Sequence, residues 1–189
     1  MKNEETLFLF AKAIKSLIKK QPLDKITVTD IVSTAGKTRQ TFYRHFQDKY
    51  DLVNWYFEKL VLKSFEEMNQ GGSLQEALNL KFAFIEQEHA FFKEAFKSND
   101  YNNLIHYDFC CIYDFYKNYI YKNTGKTLSS DIDFLLNMYC RGSVDMTVEW
   151  VLNDIPIKKE EIVSYLIEAI PDKLKEYMKG AVKKPNLLD

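Results

Sequence analysis

Glycine and proline are scarce in this sequence. Six glycines and four prolines occur among 189 residues, which is about half of what average usage would give. These residues supply the tight turns of strand-rich folds and the repeats of collagen. Their scarcity therefore argues against β-sandwiches, β-barrels, collagen-like repeats and flexible linkers, and it favours long helices. Between the few breaks, apolar residues recur with helical spacing, as at Leu7, Phe10, Ala11 and Ile14. We therefore predict an all-α protein of about nine helices.

Other absences narrow the class of protein further. No run of about 18 apolar residues occurs, so neither a transmembrane helix nor a membrane partner is predicted. The acidic start of the chain does not resemble a signal peptide. The three cysteines, Cys110, Cys111 and Cys140, are odd in number and lack the spacing of zinc ligands. This usage is typical of free thiols in a reducing compartment, and we expect a cytoplasmic protein.

Sequence signatures of catalysis are also missing. The sequence has no glycine-rich phosphate loop and no Gly-X-Ser-X-Gly nucleophile motif. His106 and Cys110 stand four residues apart and can share a helix face, but two ligands do not make a structural zinc site. We predict no enzyme, no metal and no cofactor. A helical metal- or small-molecule-binding enzyme is the remote alternative.

The near-zero net charge of −1 conceals two parts of opposite sign. Residues 1–50 contain ten lysines and arginines and five acidic residues, a net charge of +5, whereas residues 51–189 carry −6. This asymmetry indicates a small basic domain joined to a larger acidic one. We predict domains at 1–50 and 51–189, with Gly71-Gly72 as the clearest break inside the second.

Two short helices joined by a tight turn are predicted in the basic part. Thr27 and Asp30 form a cap-like pair ahead of an apolar run, with aspartate in place of the usual glutamate or glutamine. This helix is expected to end at Gly36, and Thr38 can cap the next one. The arrangement is typical of a helix-turn-helix, whose second helix enters the major groove of DNA.

A longer pattern surrounds this motif. It consists of Ile26-Thr27-Val28-Thr29-Asp30-Ile31-Val32, Ala35-Gly36, Thr41-Phe42-Tyr43-Arg44-His45-Phe46, Lys49 and Leu52. The stretch from about residue 5 to about residue 55 resembles the DNA-binding domain of TetR-family regulators. Two positions depart from the common pattern: Lys37, where the family usually has a small apolar residue, and Gln40, where glycine or alanine is common. Phe42 and Phe46 are interpreted as core residues.

The resemblance implies a role for each polar position of the motif. Thr27 would contact phosphate through its hydroxyl and the helix N-terminal amides. Tyr43, His45 and Lys49 stand where the family grips the DNA backbone. The first residues of the second helix are assigned to bases, since arginine pairs with guanine and glutamine with adenine. A solvated helix face is the alternative. The predicted DNA-binding residues are Thr27, Lys37, Thr38, Arg39, Gln40, Thr41, Tyr43, Arg44, His45 and Lys49.

Aromatic residues are concentrated in the C-terminal part, which holds 22 of the 28. The helix predicted over residues 102–123 carries them on more than one face and is therefore expected to be buried on most sides. Ordinary core packing is one interpretation. A cavity for a small-molecule effector, which the resemblance supports, is the other. The residues expected to line it are Phe65, Phe84, Tyr107, Cys110, Tyr113 and Tyr139.

The last two predicted helices, 130–153 and 158–179, carry apolar bands. In the resembled family, two such helices from each of two subunits form a four-helix dimer interface, which suits a two-fold contact. Gly142 is unfavourable inside a helix by about 1 kcal/mol relative to alanine, so a close helix approach is expected there. Packing within one chain is the alternative. The predicted interface residues are Leu135, Met138, Gly142, Met146, Ile162, Leu166 and Ile170.

The resemblance as a whole implies a homodimeric transcriptional regulator. Two recognition helices about one DNA turn apart would bind a pseudo-palindromic operator, and a ligand-responsive repressor is the expected form. The string Arg39-Gln40-Thr41-Phe42-Tyr43 also resembles regulators of dihydroxyacetone kinase operons. In that subgroup the regulator can act as an activator with a kinase-like co-partner. The expected partners are operator DNA, a second copy of the chain, and a small-molecule effector or protein co-partner.

Overall fold

The computed structural model describes residues 2–100, 102–153 and 156–178, and within these ranges it contains helices and no strand. A short 3-10 helix, Leu23–Lys25, lies between the first two of the ten α-helices in these ranges. The α-helices are α1 (Lys2–Ile18), α2 (Val28–Thr34), α3 (Arg39–Tyr43), α4 (Lys49–Asn69), α5 (Leu74–Gln87), α6 (His89–Phe96), α7 (Leu104–Thr124), α8 (Ser130–Leu152), α9 (Lys159–Glu168) and α10 (Asp172–Tyr177). The all-α prediction is confirmed. None of the described helices is long and apolar enough to cross a membrane.

The tenth helix arises at Pro171, where the helix predicted over 158–179 is divided. The helix α9 ends at Glu168 and α10 begins at Asp172. Proline has no N–H to donate and restricts the residue before it, so a continuous helix is interrupted there. Leu174 of α10 is fully buried, and α10 contacts both α7 and α8.

Local caps determine the ends of the short N-terminal helices. The Asp30 backbone N–H donates to Thr27 Oγ1 at 3.1 Å, and Thr27 N–H donates to Asp30 Oδ2 at 2.9 Å. The capping box is therefore complete with aspartate. The Thr41 N–H donates to Thr38 Oγ1 at 3.1 Å and caps α3. Gly36 adopts φ +62°, a left-handed conformation that favours glycine, and so makes the turn between the two helices.

The N-terminal helices enclose a small aromatic core. Phe42 of α3 is fully buried, and its ring centroid lies 5.3 Å from that of Phe10 on α1. Phe46 is also buried and lies 5.5 Å from Phe42. The interpretation of both residues as core is confirmed. This packing holds α3 against α1 and leaves the polar side of α3 facing outward.

The long helix α4 joins the two parts of the chain. It starts at Lys49, so the predicted boundary after residue 50 falls within its first turn. Further along, α4 packs against α5 and α7, while α7 packs against α8 and α5 against α9. Buried apolar residues form one continuous cluster from Phe10 to Met178. The glycine break at 71–72 is a turn between α4 and α5, in which Gly71 has φ +94°.

Burial of thiols and phenols predicts a loss of stability in alkali. Burial raises the pKa of Cys140 and of Cys111 from 9.0 to about 12, and raises the pKa of Tyr50 from 10.0 to about 12. A raised folded-state pKa contributes stability below the unfolded pKa, and this contribution is lost as the pH rises through the folded value. We expect unfolding to become easier between about pH 9 and pH 12. The measurement is urea unfolding at several pH values; constant stability across that range would contradict the prediction.

Candidate nucleic-acid interface and effector cavity

The helix-turn-helix presents most of the predicted DNA-binding side chains to solvent. Seven of the ten are exposed: Thr27, Lys37, Thr38, Arg39, Gln40, Tyr43 and Arg44. The other three, Thr41, His45 and Lys49, are half-buried. The exposed set includes three cations, which suits a surface that meets phosphates.

Arg39 and Tyr43 form a pair on the outer side of α3. The Arg39 guanidinium carbon lies 5.7 Å from the Tyr43 ring centroid, and Arg39 Nη2 donates to the Tyr43 hydroxyl at 3.5 Å. Tyr43 in turn packs edge-on against the buried Phe42, with 5.6 Å between the ring centroids. The core therefore positions Tyr43, and Tyr43 restrains Arg39. A planar guanidinium held at the start of a recognition helix is suited to a bidentate contact with guanine.

Lys49 is tied to the segment before α2. Its ammonium donates to the backbone carbonyls of Asp24 at 2.8 Å and Ile26 at 2.9 Å, and it lies 5.0 Å from the Tyr50 ring centroid. Burial lowers the pKa of Lys49. Two of its three N–H donors are thus engaged in connecting the start of α4 to the residues just before Thr27. One N–H donor of Lys49 is left for the phosphate contact predicted from the sequence.

Long-range polar bridges join the N-terminal part to both ends of α6. At one end, the Lys15 ammonium pairs with Glu88, and the Tyr56 hydroxyl donates to Glu88 Oε1 at 3.2 Å. At the other end, the hydroxyls of Tyr50 and Ser98 each donate to Asp24 Oδ1 at 3.0 Å. Sequence reasoning missed these bridges, because the partners are between 26 and 74 residues apart. They couple the position of α6 to that of α1 and α4.

The six residues predicted to line an effector cavity are not brought together. Tyr107 and Cys110 line a cavity of about 410 Å³ along α7. Phe65 is buried in the core, Phe84 is half-buried on α5, and Tyr113 donates its hydroxyl to Asp133. Tyr139 is buried and donates to the Leu166 carbonyl at 3.0 Å.

The cavity has lining residues that the sequence prediction omitted. Glu58 on α4 forms one wall, and Cys111, Phe115 and Tyr119 on α7 form another. Tyr107, Cys111, Phe115 and Tyr119 follow one another at four-residue spacing, so helical periodicity could have found the stripe on α7. No local signal marks Glu58, because it reaches the cavity only through the packing of α4 on α7.

The predicted dimer residues separate into two groups. On α8, Met138, Gly142 and Met146 are exposed, and Leu135 is half-buried. The α9 residue Ile162 is 5% exposed, Leu166 7%, and Ile170, just past α9, 2%. These three side chains belong to the core of one chain, because α9 packs against α5. The expected close helix approach at Gly142 does not occur within the part of the chain that the structure describes, since no described atom of another helix lies within 4 Å of its Cβ position.

His106 and Cys110 have no third potential ligand beside them with which to form a metal site among the described residues. The Cys110 sulfur lies 3.7 Å from His106 Nε2. Among the described residues, no group of three or more histidine, cysteine or acidic side chains could hold a metal ion.

Family models cover both parts of the chain. The model described as bacterial regulatory proteins, tetR family, matches residues 11–54, and the transcriptional regulator C-terminal region matches residues 72–172, more than half of the chain. The chain belongs to the TetR family. This family consists of DNA-binding transcriptional regulators that form dimers, so the regulator predicted from the sequence is confirmed at this level.

Individual relatives of this TetR-family regulator agree with the family models. This chain is 31% identical over 88 residues to the HTH-type dhaKLM operon transcriptional activator DhaS of Lactococcus lactis subsp. lactis (strain IL1403). The match covers 47% of this chain and 47% of that relative, so it spans about half of the relative's length. A solved structure, the dihydroxyacetone kinase operon activator DhaS, is 22% identical with a TM-score of 0.66. The similarity covers 90% of this chain and 97% of that one and supports the fold.

Proposed function

We propose that this TetR-family regulator binds operator DNA through residues 1–50, and that residues 51–189 dimerise and hold an effector. The observation that carries the proposal is the capped, exposed helix α3, on which Tyr43 restrains Arg39. A dimer would present two such helices to successive major grooves of a pseudo-palindromic site. The protein acts through this binding and not as an enzyme.

The ten DNA-binding residues divide by role. Arg39, Gln40 and Thr41 contact bases, since they occupy the first turn of α3, which enters the groove. Arg44 can contact a base or phosphate. The remaining residues contact phosphate or order the backbone that does. These are Thr27, Lys37, Thr38, Tyr43, His45 and Lys49.

Arg39→Ala and Lys37→Ala test this division. We expect Arg39→Ala to weaken binding to the preferred operator by about 1–3 kcal/mol and to weaken binding to random DNA much less, because a guanine contact is lost. Lys37→Ala is the matched control: it removes one exposed cation next to α3. It should weaken both DNAs about equally and reduce the salt dependence by about one ion. The operator is first selected from a pool of genomic fragments, and affinity is measured by fluorescence anisotropy at several salt concentrations.

The two variants also provide the contradicting outcome. If Arg39→Ala lowers affinity for the operator and for random DNA by the same factor, Arg39 reads no base. If neither variant changes affinity, α3 is not the DNA-binding helix.

We further propose that the dimer contact is centred on the outer side of α8. We call this surface the α8 face; it consists of Phe134, Met138, Gly142 and Met146, which follow one another at four-residue spacing. Phe134 is 68% exposed, Met138 53% and Met146 47%. Beside this surface, the Arg141 guanidinium covers Phe109 of α7 at 4.2 Å. Such a row of exposed apolar side chains marks an interaction surface, and the open space at Gly142 admits a partner helix.

A ligand-responsive repressor is the proposed mode of action, and an activator is the second candidate. The similarity to the activator DhaS favours the second. In either mode, an effector changes operator affinity only if it binds one spacing of the two DNA-binding parts better than the other. A reporter gene under the selected operator distinguishes the modes: deletion of the regulator raises expression if it represses and lowers expression if it activates.

A further inference from the structure

The cavity along α7 has aromatic walls and one acidic side chain from α4. Its volume of about 410 Å³ lies within the range of small-molecule sites. Tyr107, Phe115 and Tyr119 supply the rings, and Glu58 supplies a half-buried carboxylate. The following inference rests on the proposed effector role of this cavity and concerns the chemical class of its ligand.

The carboxylate of Glu58 is half-buried and has no cationic partner within the described part of the chain. Its Oε2 accepts a hydrogen bond of 2.6 Å from the Tyr107 hydroxyl. Burial, followed by this hydrogen bond, raises the pKa of Tyr107, so Tyr107 stays a neutral donor. An anionic group withdrawn from water is stabilised by an opposite charge. A positively charged ligand would provide it.

The aromatic rings that line the cavity also pack against other rings. Phe115 lies 4.5 Å from the buried Phe65, measured between ring centroids, and stacks with Tyr119 at 6.2 Å and 26° between planes. Rings that are fixed in this way need little further ordering to contact a ligand in the cavity, and an aromatic ring attracts a cation through the negative charge of its face. Such a contact stabilises a cation more strongly when the cation is desolvated than when it is exposed to water.

The surroundings of the two cavity thiols do not favour the reactive thiolate form. Burial raises the pKa of Cys111 to about 12 and raises the pKa of Cys110. Since the thiolate is the reactive form, both remain thiols at neutral pH. They therefore serve as apolar wall, beside Tyr107 and Phe115.

Charge is unevenly distributed along the cavity. Glu58 stands at the Tyr107 end and Asp114 lies two turns further along α7, whereas Lys122 lies at the opposite end. Tyr107 and Lys122 are about 22 Å apart along the helix axis, from the rise per residue. The Tyr107 end is thus acidic and aromatic, and the only lysine among the described lining residues is remote from it.

We propose that this cavity binds a small organic cation, whose ammonium group lies against Glu58 and whose apolar part packs on Tyr107 and Phe115. The cation would form an ion pair with Glu58 on α4. The same helix carries Tyr50 and Asn54, which precede Glu58 at four-residue spacing. Tyr50 donates to Asp24 and Asn54 Nδ2 donates to the Asn102 carbonyl at 3.1 Å. Tyr50, Asn54 and Glu58 therefore share one face of α4, which runs from the cavity to the DNA-binding part.

Calorimetric titration of the full-length protein tests the proposal. The probes are benzyltrimethylammonium, benzyl alcohol and benzoate, which share an aromatic ring and differ in charge. We expect the cation to bind at least tenfold more tightly than either of the others. Glu58→Gln keeps the shape and removes the charge, and it should weaken cation binding at least tenfold. Glu66→Gln is the matched control, because Glu66 is an exposed carboxylate two turns further along α4; it should leave binding unchanged.

Two further measurements keep the outcome unambiguous. Circular dichroism establishes that each variant is folded, and Phe115→Leu, which removes a ring and no charge, should also weaken cation binding severalfold. Equal or tighter binding of benzoate or benzyl alcohol, or an unchanged affinity in Glu58→Gln, would overturn the proposal. Operator binding of the same preparation is measured separately. Its absence would contradict the proposed DNA-binding function and would leave the calorimetric comparison intact.

Discussion

Met138→Glu is expected to dissociate the dimer and to weaken operator binding by about 10²–10⁴-fold. Met138 lies in the α8 face and is 53% exposed in the single chain. In a two-fold contact centred on this face, each subunit places one introduced carboxylate in an apolar interface, where an unpaired charge is costly. Loss of the dimer removes the advantage of binding two half-sites at once, which is worth about that factor. Sedimentation velocity gives the mass, and fluorescence anisotropy gives the affinity.

Tyr165→Glu is the matched control for this prediction. Tyr165 has the same exposure, 53%, but lies on α9. If the dimer is centred on the α8 face, this variant should stay dimeric and bind the operator as the unmodified protein does. A monomeric Tyr165→Glu together with a dimeric Met138→Glu would contradict the α8 face and place the interface on α9.

Asp108→Asn is expected to lower the free energy of unfolding by about 3–5 kcal/mol. The Lys81 ammonium donates to both oxygens of Asp108, at 2.9 and 3.1 Å, and the side-chain exposures of the two residues are 6% and 0%. Replacing Asp108 leaves the lysine charge buried without a partner, and that desolvation is the main cost. Urea unfolding, followed by circular dichroism, measures the change.

Two comparisons separate the charge effect from ordinary side-chain loss. Asp114→Asn changes an exposed carboxylate on the same helix and should alter stability by no more than about 0.5 kcal/mol. The double variant Lys81→Met with Asp108→Leu removes both charges and should recover most of the loss, because no buried charge is left unpaired. Equal stability of Asp108→Asn and the unmodified protein would show that the pair contributes nothing.

The apolar bands of α8 and α9 could be predicted from the sequence, but their packing partners could not. Helical periodicity correctly identified bands on the helices now seen as α8 and α9, because the period depends only on residues within a few turns. It did not tell which neighbour each band meets. Ile162 and Leu166 are buried within the chain, whereas Met138 and Met146 are exposed. An apolar side chain suits a core and an interface equally well, and only the packing of α9 on α5 separates them.

The same distinction applies to the candidate sites. The members of the α7 stripe are related by helical spacing, but Glu58 and Tyr107 are 49 residues apart, and no pattern within either helix relates them. Lys49 was predicted to contact phosphate from its place in the motif. Its bonds to the carbonyls of Asp24 and Ile26 span 25 and 23 residues and follow from how α4 leaves the helix-turn-helix.

Three properties of this protein follow from its sequence without the structure. The scarcity of glycine and proline indicated the helical class, and the caps at Thr27 and Thr38 located the starts of α2 and α3. The motif around Phe42 carried the resemblance to TetR-family regulators. These features involve residues no more than a few positions apart, so the order of amino acids alone expresses them. Tertiary structure decided which apolar bands are buried and which side chains meet at the cavity along α7. It also decided which polar contacts join α6 to the DNA-binding part. Such contacts depend on which helix surfaces pack together, and many sequences with the same local pattern would pack differently.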